Sequence, residues 1–264
     1  MCMKYLGETI DIHSGGIDHI PVHHTNEIAQ SEAVTGKRFA NYWMHTNHVT
    51  VEGEKISKSL GNSITLEDIE KKGFSLMAFR LHVLESHYRS QSKFSWDALE
   101  AAQNRLKRWQ TIADLRWQVI QPQHFLPADS MPTTEEAFDQ LEVEHPYTKL
   151  GAVVAAEFSA ALQNDLDTPS AVAVAERLFG AIEQNGMASF YLPGYIKLLQ
   201  LLQRMLGIDL FNNDITEQQK QLITQREVAR NNKDWVASDR LRDTLAEQGI
   251  GLRDTSQGAT WYRL

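Results

Sequence analysis

The chain has 264 residues, enough for two modest domains, and its 42% hydrophobic and 23% charged residues are typical of a globular protein. Its formal net charge of −8 argues against a protein that coats nucleic acid indiscriminately. No apolar run reaches the roughly 18 residues of a membrane span, and the first residues lack a signal-peptide pattern. The single cysteine, Cys2, rules out an internal disulfide, so we expect a cytoplasmic protein.

The first sixty residues combine short apolar runs with glycine-rich turns. A strand is predicted at residues 9–13, and good helix formers follow at residues 27–35. Gly36 stands where this helix would stop. Two further strands are predicted at residues 42–45 and 48–51, around a turn. Such a sequence of strands and helices is typical of the end of an α/β domain.

After residue 63 the pattern becomes helical. Thr65 is a good N-cap for an acidic first turn, and apolar residues then recur at helical spacing. Three prolines indicate a linker at residues 120–132, and Gly249 is the predicted C-cap of a helix. A small hairpin is predicted at residues 260–263. Five more helices are predicted in this part of the chain, at residues 150–162, 171–182, 195–206, 217–230 and 234–248.

A segment rich in lysine and serine is the sharpest chemical feature. It runs from Gly53 to Asn62 and places Lys55 and Lys58 on either side of Ser57. Such a loop can wrap a polyphosphate, because a lysine ammonium stabilises the charge that develops as pyrophosphate leaves. The alternative is an exposed turn without a ligand, and the motif alone does not distinguish the two.

Glycines and histidines characterise a second segment, residues 11–27. Gly15 and Gly16 allow the backbone to approach a ligand closely, and the Asp18 carboxylate could accept hydrogen bonds from a ribose. His23 and Glu27 lie four residues apart, so on a helix both project from one face, as a metal site needs. The alternative is an ordinary surface pair, which is the more frequent outcome at this spacing.

A basic region interrupts the acidic chain. Residues 89–117 contain six Lys or Arg residues and three acids, whereas acids dominate between residues 135 and 167. Arg105, Lys107 and Arg108 belong to this basic region and could hold phosphate locally. The alternative is a solvated helix face without a ligand.

The last predicted helices carry a possible RNA-binding surface. Arg226 and Arg230 share one helical face, and Trp235 offers a stacking surface for an unpaired base. The alternative is an amphipathic helix whose tryptophan belongs to the core.

Two of these segments resemble one family of enzymes. Residues 53–62 are similar to the Lys-Met-Ser-Lys-Ser loop of class I aminoacyl-tRNA synthetases, with Ile56 in place of methionine. Residues 21–27 resemble the zinc-binding Pro-His-His-Glu-Asn-Glu segment of the cysteine–tRNA ligase family, with Thr25 in place of an acid. The exchange at residue 56 conserves bulk and polarity, and residue 25 is not a ligand position in the family pattern.

The resemblance covers most of the chain. Residues 79–90 look like the helical stem-contact region of the family, and residues 164–169 look like its Asp-Phe-Asn-Thr-Pro turn. Residues 225–243, with the closing residues 254–261, resemble the C-terminal tail of bacterial members. The likeness is weakest at residues 117–147.

The resemblance implies roles for individual side chains. His23 and Glu27 would bind Zn²⁺, which selects cysteine because a thiolate bonds zinc strongly and the serine hydroxyl competes poorly. Two cysteines complete this metal shell in the family, and Cys2 lies a few positions too late to be one of them. The residues implied for magnesium ATP are Lys55, Lys58, Ser57, Gly15, Gly16 and Asp18. The candidate residues for tRNA are Arg226, Arg230 and Trp235 of the tail, together with Arg105, Lys107 and Arg108 of the basic region.

The implied fold is mainly α with a small α/β part. We expect the C-terminal remnant of a class I Rossmann-like catalytic domain, followed by a helical stem-contact region and an anticodon-binding bundle. The expected boundaries are residues 1–63 for the catalytic remnant, 64–120 for the stem-contact region, 121–212 for the helical bundle and 213–264 for the anticodon-facing tail.

The implied reaction is the ATP-dependent ligation of cysteine to its tRNA through cysteinyl-adenylate. We expect this chain to be inactive alone, because the nucleotide-binding first half with its His-x-Gly-His motif is missing from the sequence. The expected partners are cysteine tRNA, cysteine, ATP and a missing N-terminal half. We expect a monomer that does not associate with membranes. Two alternatives stay open: a cysteine ligase that acts on a small amine, as in the mycothiol pathway, and a non-catalytic tRNA-binding module.

Overall fold

A computed structural model of the chain describes residues 2–51, 53–55, 63–118, 148–185, 192–255 and 258–264. The chain divides into two compact units. The first unit comprises residues 1–103 with residues 166–169, and the second comprises residues 104–165 and 170–264. The finer division into four segments stays a prediction.

A β–α–β arrangement begins the first unit, as the sequence predicts. Strands β1 and β2 pair in parallel, and Ile12 lies opposite Tyr42 while His13 lies opposite Trp43. Helix α2 ends at Gly36, whose φ of +65° is a left-handed conformation that favours glycine. The elements in chain order are helix α1 (Cys2–Leu6), strand β1 (Ile10–Gly16), helix α2 (Thr25–Thr35) and strand β2 (Ala40–Thr46).

A small second sheet, two helices and the beginning of a third complete this unit. Strand β3 lies between β4 and β5, so the predicted turn after β2 connects two sheets. Thr65 caps α3 as predicted, because its side chain accepts a hydrogen bond from the Asp68 backbone while the Asp68 carboxylate accepts one from the Thr65 backbone. The elements are β3 (Val49–Val51), β4 (Glu54–Lys55), α3 (Leu66–Lys71), α4 (Leu76–Leu84), β5 (Ser92–Phe94) and α5 (Trp96–Asp114).

The rest of the described chain is helical up to a terminal hairpin. All five predicted helices are present, and the third continues as a π-helix at Leu202–Leu206 before Gly207 ends it in the left-handed region. The helices are α6 (Thr148–Gln163), α7 (Thr168–Asn185), α8 (Leu192–Leu201), α9 (Glu217–Asn231) and α10 (Trp235–Glu247), and they are followed by antiparallel strands β6 (Ile250–Thr255) and β7 (Gly258–Arg263).

The hairpin is longer than predicted and packs on its own apolar cluster. Trp261 of β7 is buried with Leu245 of α10 and Ile250 and Leu252 of β6. Burial of such side chains stabilises the tail by roughly 1.5–3 kcal/mol each. Within the described part of the chain, no helix combines the length and apolar character that a membrane crossing requires.

Candidate functional site

The carboxyl ends of β1 and β2 gather the predicted nucleotide residues. Gly15 and Gly16 end β1, and Asp18 follows in a 3-10 turn at Ile17–His19. Ligands of open α/β sheets bind outside the carboxyl ends of parallel strands. The structure therefore brings these three residues to the edge where a nucleotide is expected.

Gly15 is required at its position by the space around it. A Cβ atom on Gly15 would lie 2.6 Å from Cε1 of His24 and 3.0 Å from Nδ1 of His19, so any side chain would displace one of the two rings. The exposed Asp18 carboxylate lies 3.6 Å from Nε2 of His48. Histidine side chains thus surround this end of the sheet.

Glu27 of the predicted metal pair contacts two histidines. Its Oε1 lies 3.6 Å from Nε2 of His23, whose side chain is 61% exposed, and its Oε2 lies 2.8 Å from Nε2 of His13. A tetrahedral Zn²⁺ with bonds near 2.1 Å holds its ligand atoms about 3.4 Å apart. The His23–Glu27 spacing is therefore suited to a shared ion, whereas the His13–Glu27 contact is a hydrogen bond.

Two histidines that the sequence argument did not single out complete this cluster. One ligand atom each from His13, His24 and Glu27 lie within 4.8 Å of one another, which makes them a second possible metal group. His24 is buried, and its Nδ1 lies 2.8 Å from Nε2 of His45. The sequence features that could have identified them are the alternation of polar residues along β1 for His13 and the adjacent histidines before α2 for His24.

The environment of His24 favours its neutral form. Burial lowers the pKa of His24, and the nearby rings of His13 and His45 act in the same direction. A neutral imidazole is the form that binds metals and exchanges hydrogen bonds with other rings. His24 can therefore serve either as a ligand or as a support for the rings around it.

The predicted phosphate loop is described only at its first lysine. Lys55 ends strand β4 and pairs with Thr50 of β3 in the antiparallel register. Ser57 and Lys58 lie outside the described residues, so their predicted contacts with ATP stay predictions.

The predicted phosphate-binding residues of α5 have different environments. Arg108 forms ion pairs with Glu176 and Glu183 of α7, and Nε of Arg105 lies 3.8 Å from Glu176. Lys107 is exposed. Helix packing within the second unit thus pairs both arginines with acids, and their predicted role in binding phosphate stays a prediction.

The predicted RNA-binding residues of the tail also differ in exposure. Arg226 is 1% exposed and donates two hydrogen bonds to Asp254, with distances of 2.8 Å and 3.0 Å. This burial differs from the base-facing role that the sequence predicts for Arg226. Trp235 is 56% exposed, so the alternative of a core tryptophan is wrong. The Arg230 guanidinium lies 5.9 Å from the centre of the Trp235 ring and 3.0 Å from Asp254.

Two protein families match the chain. The family described as tRNA synthetases class I (C) catalytic domain matches residues 1–104. The family described as cysteinyl-tRNA ligase anticodon binding domain matches residues 212–261. The first match contains the sheet edge and the histidines, and the second contains Arg226, Arg230 and Trp235.

Curated relatives match the chain along its whole length. A cysteine–tRNA ligase of Bacillus cereus strain B4264 is 36% identical over 269 residues, which cover 100% of this chain and 54% of the relative. A cysteine–tRNA ligase of Chlamydia caviae is 37% identical over 98% of this chain and 52% of the relative. The chain thus spans about half the length of the curated relatives it matches. Neither the small-amine ligase nor the non-catalytic module gains support from these relatives.

Two solved structures with a similar fold are aminoacyl-tRNA synthetases. Mycobacterium tuberculosis methionyl-tRNA synthetase in complex with methionyl-adenylate has a TM-score of 0.51 and 15% identity, over 75% of this chain and 42% of that one. The Agrobacterium radiobacter K84 agnB2 LeuRS, solved with tRNA and LeuAMS, has a TM-score of 0.50 and 18% identity, over 79% of this chain and 29% of that one. The solved structures are similar to this chain in fold, and the two family matches and the curated relatives show that it belongs to the cysteine–tRNA ligase family of class I aminoacyl-tRNA synthetases.

Proposed function

We propose that this chain takes part in the ATP-dependent ligation of cysteine to its tRNA through cysteinyl-adenylate. One observation carries the proposal. The chain contains both a segment that matches the catalytic domain and a segment that matches the anticodon-binding domain, and it aligns with cysteine–tRNA ligases along its whole length. The chain spans about half the length of these relatives, so we propose that it supplies part of the activity.

The nucleotide is expected at the carboxyl edge of β1 and β2. The backbone at Gly15 and Gly16 would approach it, and the exposed Asp18 carboxylate would accept hydrogen bonds from a ribose. Lys55 and Lys58 contribute positive charge to the departing pyrophosphate, with Ser57 between them. Magnesium accompanies ATP in this role, as it does in most nucleotide chemistry.

The cysteine thiol is expected near Glu27. His23 and Glu27 would hold Zn²⁺, because their ligand atoms are 3.6 Å apart and His23 is accessible from solvent. His13 positions the Glu27 carboxylate through its hydrogen bond. Held by these two residues, Zn²⁺ would supply a Lewis acid that prefers a thiolate to a hydroxyl.

The tail is expected to contact an unpaired base of the tRNA. Trp235 presents its exposed ring for stacking, and Arg230 adds positive charge beside that ring. Arg226 positions Asp254, which in turn holds Arg230, so its role in binding is indirect.

A joined polypeptide tests the catalytic part of the proposal. The portion of the Bacillus cereus relative that this chain does not match is linked to the chain in the relative's own order. We expect cysteine-dependent ATP–pyrophosphate exchange by the joined protein, a loss of at least tenfold in Lys58→Ala, and none by the chain alone. Exchange by the chain alone, or an unaffected Lys58→Ala variant, would contradict the proposed role of the loop.

A further inference from the structure

Lys233 connects helices α9 and α10 in a backbone conformation that lysine rarely adopts. Its φ of +60° lies in the left-handed region. The backbone N–H of Lys233 donates to the carbonyl of Arg230 at 2.9 Å, and that of Asp234 donates to the carbonyl of Ala229 at 2.8 Å. This pair of hydrogen bonds is a Schellman motif, in which the left-handed residue is usually glycine.

Other helices of the chain follow the usual rule. Left-handed glycines come after four of the described elements: Gly36 after α2, Gly73 after α3, Gly207 after the π-helix and Gly249 after α10. In the left-handed region a Cβ atom crowds the following carbonyl oxygen, so lysine is less stable there than glycine. The fold therefore gains nothing from the side chain of Lys233, and such strain points to a function of that side chain.

The ammonium of Lys233 is available to a ligand. The side chain is exposed, and within the described residues no acid forms an ion pair with it. The two arginines of α9 differ in this respect, because Arg226 and Arg230 both pair with Asp254. The acid next in sequence, Asp234, accepts a hydrogen bond from the Ala237 backbone and so caps α10.

Lys233 lies beside the aromatic ring that is proposed to stack on a base. Trp235 follows two residues later, its side chain is 56% exposed, and the Arg230 guanidinium lies 5.9 Å from the centre of its ring. A base that stacks on Trp235 brings its own phosphate to the same turn, because only a sugar separates the base from the phosphate. The flexible four-carbon stem of lysine lets its charge reach such a phosphate.

We infer that Lys233 binds a tRNA phosphate next to the base that stacks on Trp235. The inference rests on the proposed function and adds a residue to it. A phosphate contact positions the RNA without reading its sequence. Lys233 therefore raises the affinity for every tRNA that the tail accepts, whereas Trp235 provides the preference for one anticodon. The same lysine lowers the stability of the turn.

These two effects of Lys233 have opposite signs, so one substitution tests both. Lys233→Gly should raise the urea midpoint of unfolding, because glycine relieves the left-handed conformation. It should weaken binding of cysteine tRNA, and of the same tRNA with a swapped anticodon, by one common factor of at least three at low salt. The slope of log affinity against log salt should become shallower by about 0.7, the value for one phosphate of a single strand.

Two further variants separate charge from backbone flexibility. Lys233→Asn tolerates the left-handed region and removes the charge, so it should weaken binding as Lys233→Gly does. Lys233→Arg keeps the charge and should bind both tRNAs within twofold of wild type. Lys220→Gln is the matched control on α9, because Asp214 and Glu217 hold Lys220 at 2.6 Å and 2.8 Å, and it should change neither affinity by more than twofold.

Two results would overturn the inference while the proposed function stands. One is wild-type affinity and salt dependence in both Lys233→Gly and Lys233→Asn, and the other is a loss of affinity for only one of the two tRNAs. A wild-type chain that binds neither tRNA would instead contradict the proposed function together with the inference.

Discussion

Arg226 and Asp254 form a two-point ion pair that joins helix α9 to strand β6. The guanidinium is buried, and both of its terminal nitrogens bind the carboxylate, at 2.8 Å and 3.0 Å. Arg230 pairs with the same carboxylate at 3.0 Å, and its guanidinium lies 5.9 Å from the centre of the Trp235 ring. Asp254 thus determines the position of both arginines in the tail.

The first prediction concerns the acid stability of this pair. Hydrogen bonds from Arg226 lower the pKa of Asp254, and the charges of Arg226 and Arg230 act in the same direction. A carboxylate with a lowered folded-state pKa stabilises the fold above its unfolded value of about 3.9, and this contribution is lost as the pH falls through the lower folded-state value. Denaturant unfolding between pH 7 and pH 3 should therefore be less pH-dependent in Asp254→Asn than in wild type. Asp243→Asn, an exposed position on α10, should retain the wild-type dependence. Identical slopes in all three proteins would contradict the pairing.

The second prediction separates the two arginines of α9 by stability. Arg226→Met should destabilise the chain by about 2 kcal/mol, because a buried two-point bond to a partly exposed carboxylate is lost. Arg230→Gln should cost less than about 1 kcal/mol, because Arg230 is partly exposed and its pair is screened by water. Equilibrium unfolding in urea measures both. A larger loss in Arg230→Gln would reverse the roles assigned to them.

The third prediction concerns Zn²⁺. The chain should bind zinc weakly, because two protein ligands are too few for a closed tetrahedral site. His23→Ala and Glu27→Gln should each lower the affinity at least tenfold, and His24→Ala less than threefold. Competition titration with a chromophoric chelator measures the affinities. If His24→Ala abolishes binding while His23→Ala does not, the buried group of His13, His24 and Glu27 is the site instead.

The fourth prediction concerns the basic residues of α5. Lys107→Gln should reduce the salt dependence of tRNA binding, because Lys107 is exposed and can reach phosphate. Arg108→Gln should instead destabilise the second unit by about 1 kcal/mol, because it removes ion pairs with Glu176 and Glu183. Binding across a salt series and urea unfolding distinguish the two. If only Arg108→Gln reduces the salt dependence of tRNA binding, Arg108 leaves Glu176 and Glu183 to contact RNA.

Local patterns predicted the elements of the fold well. The N-cap at Thr65, the stop at Gly36 and the apolar spacing of α9 and α10 depend on residues within a few positions of one another. The predicted hairpin was too short. Its strands pair residues that are distant in sequence, such as Ile250 and Arg263, and local patterns do not reveal such pairs.

The environments of the site residues were harder to predict. Arg226 meets a partner 28 residues away, and Arg108 meets partners 68 and 75 residues away. A sequence shows that these arginines are basic, but only the fold shows which acids neutralise them. The exposure of Trp235 was likewise open, because amphipathic spacing suits both a core and a surface tryptophan.

The proposed function implies that the tail of this chain distinguishes cysteine tRNA by its anticodon. It is tested by the binding of the chain to cysteine tRNA and to the same tRNA with a swapped anticodon, across a salt series. Base contacts specify and phosphate contacts position, so the two tRNAs should differ in affinity at every salt concentration. Stacking on an aromatic side chain contributes about 1–3 kcal/mol per base.

Trp235→Ala should therefore remove most of the difference between the two tRNAs, and because Trp235 is exposed it should leave the free energy of unfolding within about 0.5 kcal/mol of wild type. Val236→Ala, at the neighbouring exposed position, is the control and should retain the preference. Wild-type affinities that are equal for the two tRNAs at every salt concentration would contradict the claim.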